Sequence, residues 1–183
     1  MIAIIVIVTF APAIYTQEVE FYGEDIHFTI SESHFTVDGN YHFCNISTDS
    51  IRTPIMYPFP LDSLYGDVDN IRVVNLHSGG EVKFTNNSPF GIRFSLVLAP
   101  LAIAAYRIAY RQELNAGRAE YILTTTRHWN KPFEMVNYRL TILSDIKLDS
   151  CSYQPDSTAG KQYFWKKRNF MPQKNMLFWF SSR

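Results

Sequence analysis

From about residue 20 onward the apolar residues of this chain recur at every second position, and that spacing leaves little except β-structure open to it. Val136, Tyr138, Leu140 and Ile142 alternate with Asn137, Arg139 and Thr141. Ile92, Phe94, Leu96 and Leu98 alternate with Arg93 and Ser95, and Tyr106, Ile108 and Tyr110 with Arg107 and Arg111. Successive side chains of a strand point to opposite faces, so each segment reads as a strand with one face on a core. Turn signals fall at Asp38-Gly39, Gly66-Asp67, Ser78-Gly79-Gly80, Asn86-Asn87-Ser88-Pro89, Asn115-Ala116-Gly117 and Asn130-Lys131-Pro132. About ten to twelve short strands at that spacing, with no long helical pattern between them, predict an all-β fold: an antiparallel β-sandwich forming one domain over residues 17–183. Leu96 to Glu113 is rich in alanine, but Pro100 and the Tyr/Ile alternation favour two strands joined by a loop.

With 183 residues, 46% of them apolar, the chain can bury a sizeable core. Its 17 basic and 17 acidic residues give a formal charge of zero, which argues against a charged disordered tail and against a generally basic nucleic-acid binder. The zero conceals a gradient. Residues 1–70 carry −9, residues 71–156 carry +3 and residues 157–183 carry +6.

Ile2 to Val8 is an unbroken apolar run that extends to Ile14, and the first charge is Glu18. At about 13–16 residues it falls short of the roughly 20 that span a bilayer. It fits the apolar region of a secretory signal, with Ala11-Pro12-Ala13 as a cleavage site, although no Lys or Arg precedes it. A buried strand and an uncleaved anchor are the alternatives. The expectation is a signal peptide at residues 1–16 and an exported protein: periplasmic, cell-surface or secreted. Cys44 and Cys151 then occupy a disulfide-permissive compartment. A bridge closing about 108 residues adds roughly 4–5 kcal/mol in the chain-entropy model, if the two Cα atoms come within about 7 Å.

The first hairpin is expected to turn at Asp38-Gly39-Asn40, pairing Val37 with Tyr41 and Phe35 with Phe43 so that one face is apolar. Tyr57-Pro58-Phe59-Pro60-Leu61 reads as an edge strand, because proline cannot donate to a ladder. Tyr57, Phe59 and Leu61 would then face the core together.

Val37-Asp38-Gly39 leading to Tyr41-x-Phe43-x-Asn45, then Tyr57-Pro58-Phe59-Pro60-Leu61, then Tyr106 to Leu114 with its Tyr110-x-Gln112-x-Leu114, together resemble the vault protein inter-alpha-trypsin domain. Tyr121 to Thr126 with Trp129 and Pro132 is similar to an uncharacterised family of secreted bacterial domains. The resemblance covers roughly residues 26–143. It implies an antiparallel sandwich in an extracytoplasmic setting and carries no catalytic residue. The Asp-x-Ser-x-Ser metal motif of the partner domain found in many members is absent, since Asp149-Ser150-Cys151-Ser152 has Cys where the first Ser belongs.

No catalytic signature occurs: neither G-x-S-x-G, nor H-E-x-x-H, nor a Gly-rich phosphate loop, nor paired-cysteine zinc spacing. In the expected hairpin, His34, His42 and Cys44 share a face and could hold a soft metal, against the plainer reading of a polar sheet face. Arg93, Arg107, Arg111 and Arg139 lie on the polar sides of their strands. They form either a row for carboxylates or anionic sugars or a solvated face with cross-strand acid partners. The stretch from Tyr163 to Phe180, with Trp165-Lys166-Lys167-Arg168 in it, interleaves bases with aromatics. It reads as a closing strand pair with the basic triplet at or near a turn, or as a membrane or partner surface. Nucleic acid is not expected. The functional expectation is an exported, non-catalytic interaction or structural module without a cofactor, its partner another protein or an envelope component. The alternative is a carbohydrate- or polar-ligand-binding domain, and a hydrolase with a dispersed site comes third.

Overall fold

A computed structural model describes residues 18–182 apart from 63, 87 and 144. The signal-peptide expectation for residues 1–16 lies outside the described residues. Among these, thirteen strands, numbered in chain order, and one 3-10 helix (Thr124–Trp129) form three sheets. The largest has seven strands in the order β11 (Ser157–Ala159), β12 (Gln162–Phe170), β9 (Phe133–Ile142), β1 (Val19–Ile30), β2 (His34–Asn45), β7 (Ile103–Leu114) and β4 (Tyr65–Asn75). One three-stranded sheet runs β3 (Ile51–Pro58), β6 (Gly91–Leu98), β5 (Phe84–Thr85), and the other β10 (Ile146–Cys151), β13 (Met176–Ser182), β8 (Arg118–Tyr121). The fold is the expected all-β sandwich, with antiparallel pairing throughout except that β1 lies parallel to β9. No described helix is long and apolar enough to cross a membrane.

The period-two pattern fixes which face is buried. Phe28, Ile30, Phe35, Val37, Val136 and Leu140 are fully buried on the inner face of the seven-stranded sheet. Both small sheets cover that face. Phe28 packs against Tyr121 and Phe178 with ring centroids 5.2 and 5.4 Å apart, and Phe94 meets Tyr106 at 6.1 Å. Such rings dominate core energetics through the area they bury.

The hairpin expectation is overturned. β2 runs straight through Asp38-Gly39, and the chain turns instead at Ser31–Ser33, with Phe35 opposite Ile30 and Phe43 opposite Phe21. Gly39 marks a close approach, not a turn. A Cβ there would stand 2.3 Å from Ile26 Cδ1 and 2.8 Å from the Tyr41 hydroxyl. β3 is an edge strand as expected, with Tyr57 and Phe59 buried, but Leu61 is half exposed because the strand ends at Pro58.

The motif residues behind the family resemblance hold up the backbone. Asn45, fully buried, donates to the carbonyls of Asp49 and Ala99 and accepts from the Ser47 amide, tying the end of β2 to two loops. Gln112 is buried and donates to the Pro60 and Gly66 carbonyls.

Candidate functional site

The two small sheets do not merge. β3 and β8 are both edge strands, and the space between them opens onto the inner face of the large sheet. The sequence supplies a reason. Proline is tolerated in a paired strand only where its nitrogen faces away from the partner. Pro54 and Pro58, four residues apart on β3, therefore turn the same edge away from β6. That edge has too few donors to pair with β8, and the gap persists as a cleft.

The cleft measures about 1050 Å³, at the upper end of the range for small-molecule sites. β3 forms one wall through Thr53, Ile55 and Tyr57, and the 3-10 helix forms another through Thr125, His128 and Trp129. The floor comes from β1 and β2: Phe21, Glu24, Tyr41 and Phe43. Seven aromatic rings line it, and Phe21 stacks on Phe43 at 4.9 Å while meeting Trp129 at 5.7 Å.

Glu24 is the unexpected element. The residue is 2% exposed, yet among the described residues no Lys or Arg lines the cleft. Oε1 accepts from the Tyr138 hydroxyl at 2.6 Å and Oε2 from the Tyr121 hydroxyl at 2.9 Å. The Tyr121 hydroxyl lies 3.3 Å from that of Tyr41, which is 2.6 Å from that of Tyr57. Five side chains from five strands thus form one polar chain through a largely apolar layer. Burial pushes the Glu24 carboxyl up to about 7; the two tyrosine hydrogen bonds oppose that rise and Asp25 adds to it. Burial likewise drives the hydroxyls of Tyr41, Tyr57, Tyr121 and Tyr138 well above the ordinary tyrosine range, so all four remain phenols.

A signal for Glu24 was present in the sequence. Counting back by twos from Ile30, Phe28 and Ile26 places it on the core face. A bulge between Phe21 and Gly23 then shifts the alternation, so that Phe21 and Val19 also point inward.

The residues singled out from sequence are mostly scattered elsewhere. His34 and Cys44 stand at opposite ends of β2, about 33 Å apart at strand rise. The metal cluster of His34, His42 and Cys44 is therefore dissolved by the straight strand. His42 Nε2 bonds Asp25 at 2.9 Å, and no group of three metal-ligating side chains occurs among the described residues. Cys44 and Cys151 are free thiols on different sheets, so the possible disulfide is not formed; Cys151 Sγ donates to the Tyr153 carbonyl at 3.0 Å.

The arginine row is three residues, not four. Arg93 lies on β6 in a small sheet, while Arg107, Arg111 and Arg139 share the large one. Arg107 grips Asp38 with two bonds of 2.7 and 2.5 Å, and Arg111 grips Asp69 with bonds of 2.8 and 2.5 Å. Arg139 donates to His27 Nδ1 at 3.0 Å, which leaves Nε2–H to donate to Thr141 at 2.9 Å. Burial and Arg139 lower the His27 pKa, in keeping with that neutral ring. The alternative of cross-strand acid partners thus describes Arg107 and Arg111, while the partner of Arg139 is a histidine. Lys166, Lys167 and Arg168 sit within β12, not at a turn; Lys167 pairs with Asp156, and Trp165 is buried beneath them.

Together the fold and the cleft define a β-sandwich domain with an aromatic-lined opening between its covering sheets. The sequence matches no family model and no curated protein. Among solved structures, it is similar to a putative nutrient binding protein from Legionella pneumophila, at TM-score 0.67 and 14% identity over 89% of this chain and 67% of that one. It is also similar to an M1 zinc metallopeptidase from Deinococcus radiodurans (TM-score 0.55, 12% identity, 89% of this chain and 42% of that one). A third likeness is to yeast LTA4 hydrolase (TM-score 0.51, 11% identity, 88% and 29%). These likenesses establish a shared fold. The chain spans less than half the length of either enzyme.

Proposed function

We propose that this domain is a binding module that takes a small, largely apolar ligand with one polar end into the cleft between β3 and β8. The observation that carries the reading is the floor of that cleft, where a buried carboxyl and a chain of tyrosine hydroxyls stand at the bottom of an aromatic-walled space of about 1050 Å³. Functional pockets combine mostly apolar walls with a few converging polar groups. The likeness to a protein described as nutrient binding is compatible with this reading.

The module is read as non-catalytic. Among the described residues no serine or cysteine lines the cleft, so these offer neither of the commonest nucleophiles beside a base. An extracytoplasmic setting accords with the apolar run at residues 2–14, and an envelope component is the natural neighbour of a module so placed.

A thermal-shift screen of small aromatic and aliphatic compounds with varied polar ends tests the proposal. Hits should raise the melting temperature of the unaltered protein and lose that effect in Ile55→Trp, which fills the cleft from its β3 wall. Hits that bind Ile55→Trp undiminished, or no hit at all, would overturn it.

A further inference from the structure

When Glu24 is ionised, as a bound cation would hold it, proton counting along the tyrosine chain sets the polarity of the site. An ionised carboxylate only accepts, and a phenol has one proton. Tyr138 and Tyr121 therefore both donate to Glu24. With its proton spent, Tyr121 can only accept from Tyr41 across their 3.3 Å contact. Tyr41 is then committed, and the 2.6 Å contact with Tyr57 must be donated by Tyr57. Tyr57 lines the cleft and ends the chain with lone pairs and no free proton. A ligand's polar end must supply the hydrogen.

The charge of the lining points the same way. Among the described residues, the cleft is lined by the acids Glu18 and Glu24 and by neither Lys nor Arg. Seven aromatic rings are among its lining residues, and a π-face turned to it attracts a cation. We infer that the cleft recognises a protonated amine carried on an apolar body, with the ammonium directed to the Tyr57 hydroxyl and the Glu24 carboxylate. The inference rests on the binding reading above and names the chemistry of the same site.

The groups that govern its pH dependence come from every element around the floor. β1 contributes Glu24 and, on its outer face, Asp25; β2 contributes Tyr41, β3 Tyr57, β8 Tyr121 and β9 Tyr138. β7 adds Tyr110, whose buried hydroxyl has no hydrogen-bond partner among the described residues. Glu18 and His128 stand among the lining residues. Of these, Glu24 is the acid whose titration lies close to neutrality, at about 7. Ammonium binding favours its ionised form and expels a proton.

Isothermal titration calorimetry at pH 7 with 2-phenylethylamine, 2-phenylethanol and 3-phenylpropanoate, each in two buffers of different ionisation enthalpy, tests this directly. The amine should bind at least about tenfold tighter than either analogue, as expected when a buried charge is paired. It should also release protons on binding, because burial raises the Glu24 carboxyl to about 7 and leaves it partly protonated at that pH. Glu24→Gln should lose both the preference for the amine and the proton release. Equal or tighter binding of the carboxylate, or amine binding without proton release, would overturn the inference and leave the cleft reading standing. No binding by any of the three would overturn both.

Discussion

The two faces of the seven-stranded sheet treat charge in opposite ways. On the outer face Arg107 meets Asp38 and Arg111 meets Asp69, each pair bidentate and each partly open to water. On the inner face Glu24 is enclosed and held by neutral hydroxyls alone. Exposed ion pairs exchange one solvated state for another and contribute little. A buried carboxyl without a cation raises the free energy of the fold unless it is protonated. The outer arginines, prominent in the sequence, are satisfied within the sheet. The single inner acid, inconspicuous in the sequence, is the group left with a charge to neutralise.

The largest effect should come from the packing that encloses Glu24. Phe28→Ala removes a fully buried ring that touches Phe35, Tyr121, Tyr138 and Phe178. It should cost about 3–5 kcal/mol in chemical denaturation; a loss below about 1 kcal/mol would mean that the inner face is not close-packed. Next comes the pH dependence of stability. The Glu24 carboxyl is raised from 4.5 to about 7 in the fold, so between those values the native state binds the extra proton. Its penalty is complete above about pH 7 and vanishes below about pH 4.5. Denaturation midpoints should therefore show about 3 kcal/mol of stabilisation from this group as the pH falls through that window. Glu24→Gln should flatten the slope, and an unchanged slope in that variant would assign it elsewhere.

Tyr138→Phe deletes one donor to the carboxylate, and unfolding should report a loss of about 1–3 kcal/mol above pH 7. On the outer face a double-mutant cycle of Arg107→Ala with Asp38→Ala should give a coupling under about 1 kcal/mol that fades with salt. A coupling as large as the Glu24 effect would erase the contrast between the faces. Smallest of all, Cys44→Ser and added reductant should leave the melting temperature unchanged, since both thiols are free.

The strands were legible because burial and the two-residue period speak directly: Ile92 to Leu98, Tyr106 to Tyr110 and Val136 to Ile142 lie in strands with the expected face inward. Asp38-Gly39 misled because the same dipeptide serves two needs. A turn wants glycine for its torsion angles, whereas here the strand wants it for the room taken by Ile26 and Tyr41. Every expectation built on that turn went with it, the histidine–cysteine cluster included. The candidate site was hidden for a different reason. Glu24, Tyr41, Tyr57, Tyr121 and Tyr138 are dispersed along the chain, and only strand order brings them together. The parallel pairing of β1 with β9, which sets Tyr138 beside Glu24, joins segments more than a hundred residues apart.

The ionisation of Glu24 underlies both the stability contrast and the chemistry assigned to the cleft. Its side-chain carboxyl can be followed through pH by carbon-13 NMR in labelled protein, free and saturated with 2-phenylethylamine. The midpoint should lie at about 7 in the free protein and fall when the amine is bound. A midpoint near the ordinary 4.5, indifferent to the amine, would contradict the assignment of Glu24 as the charged floor of a binding site.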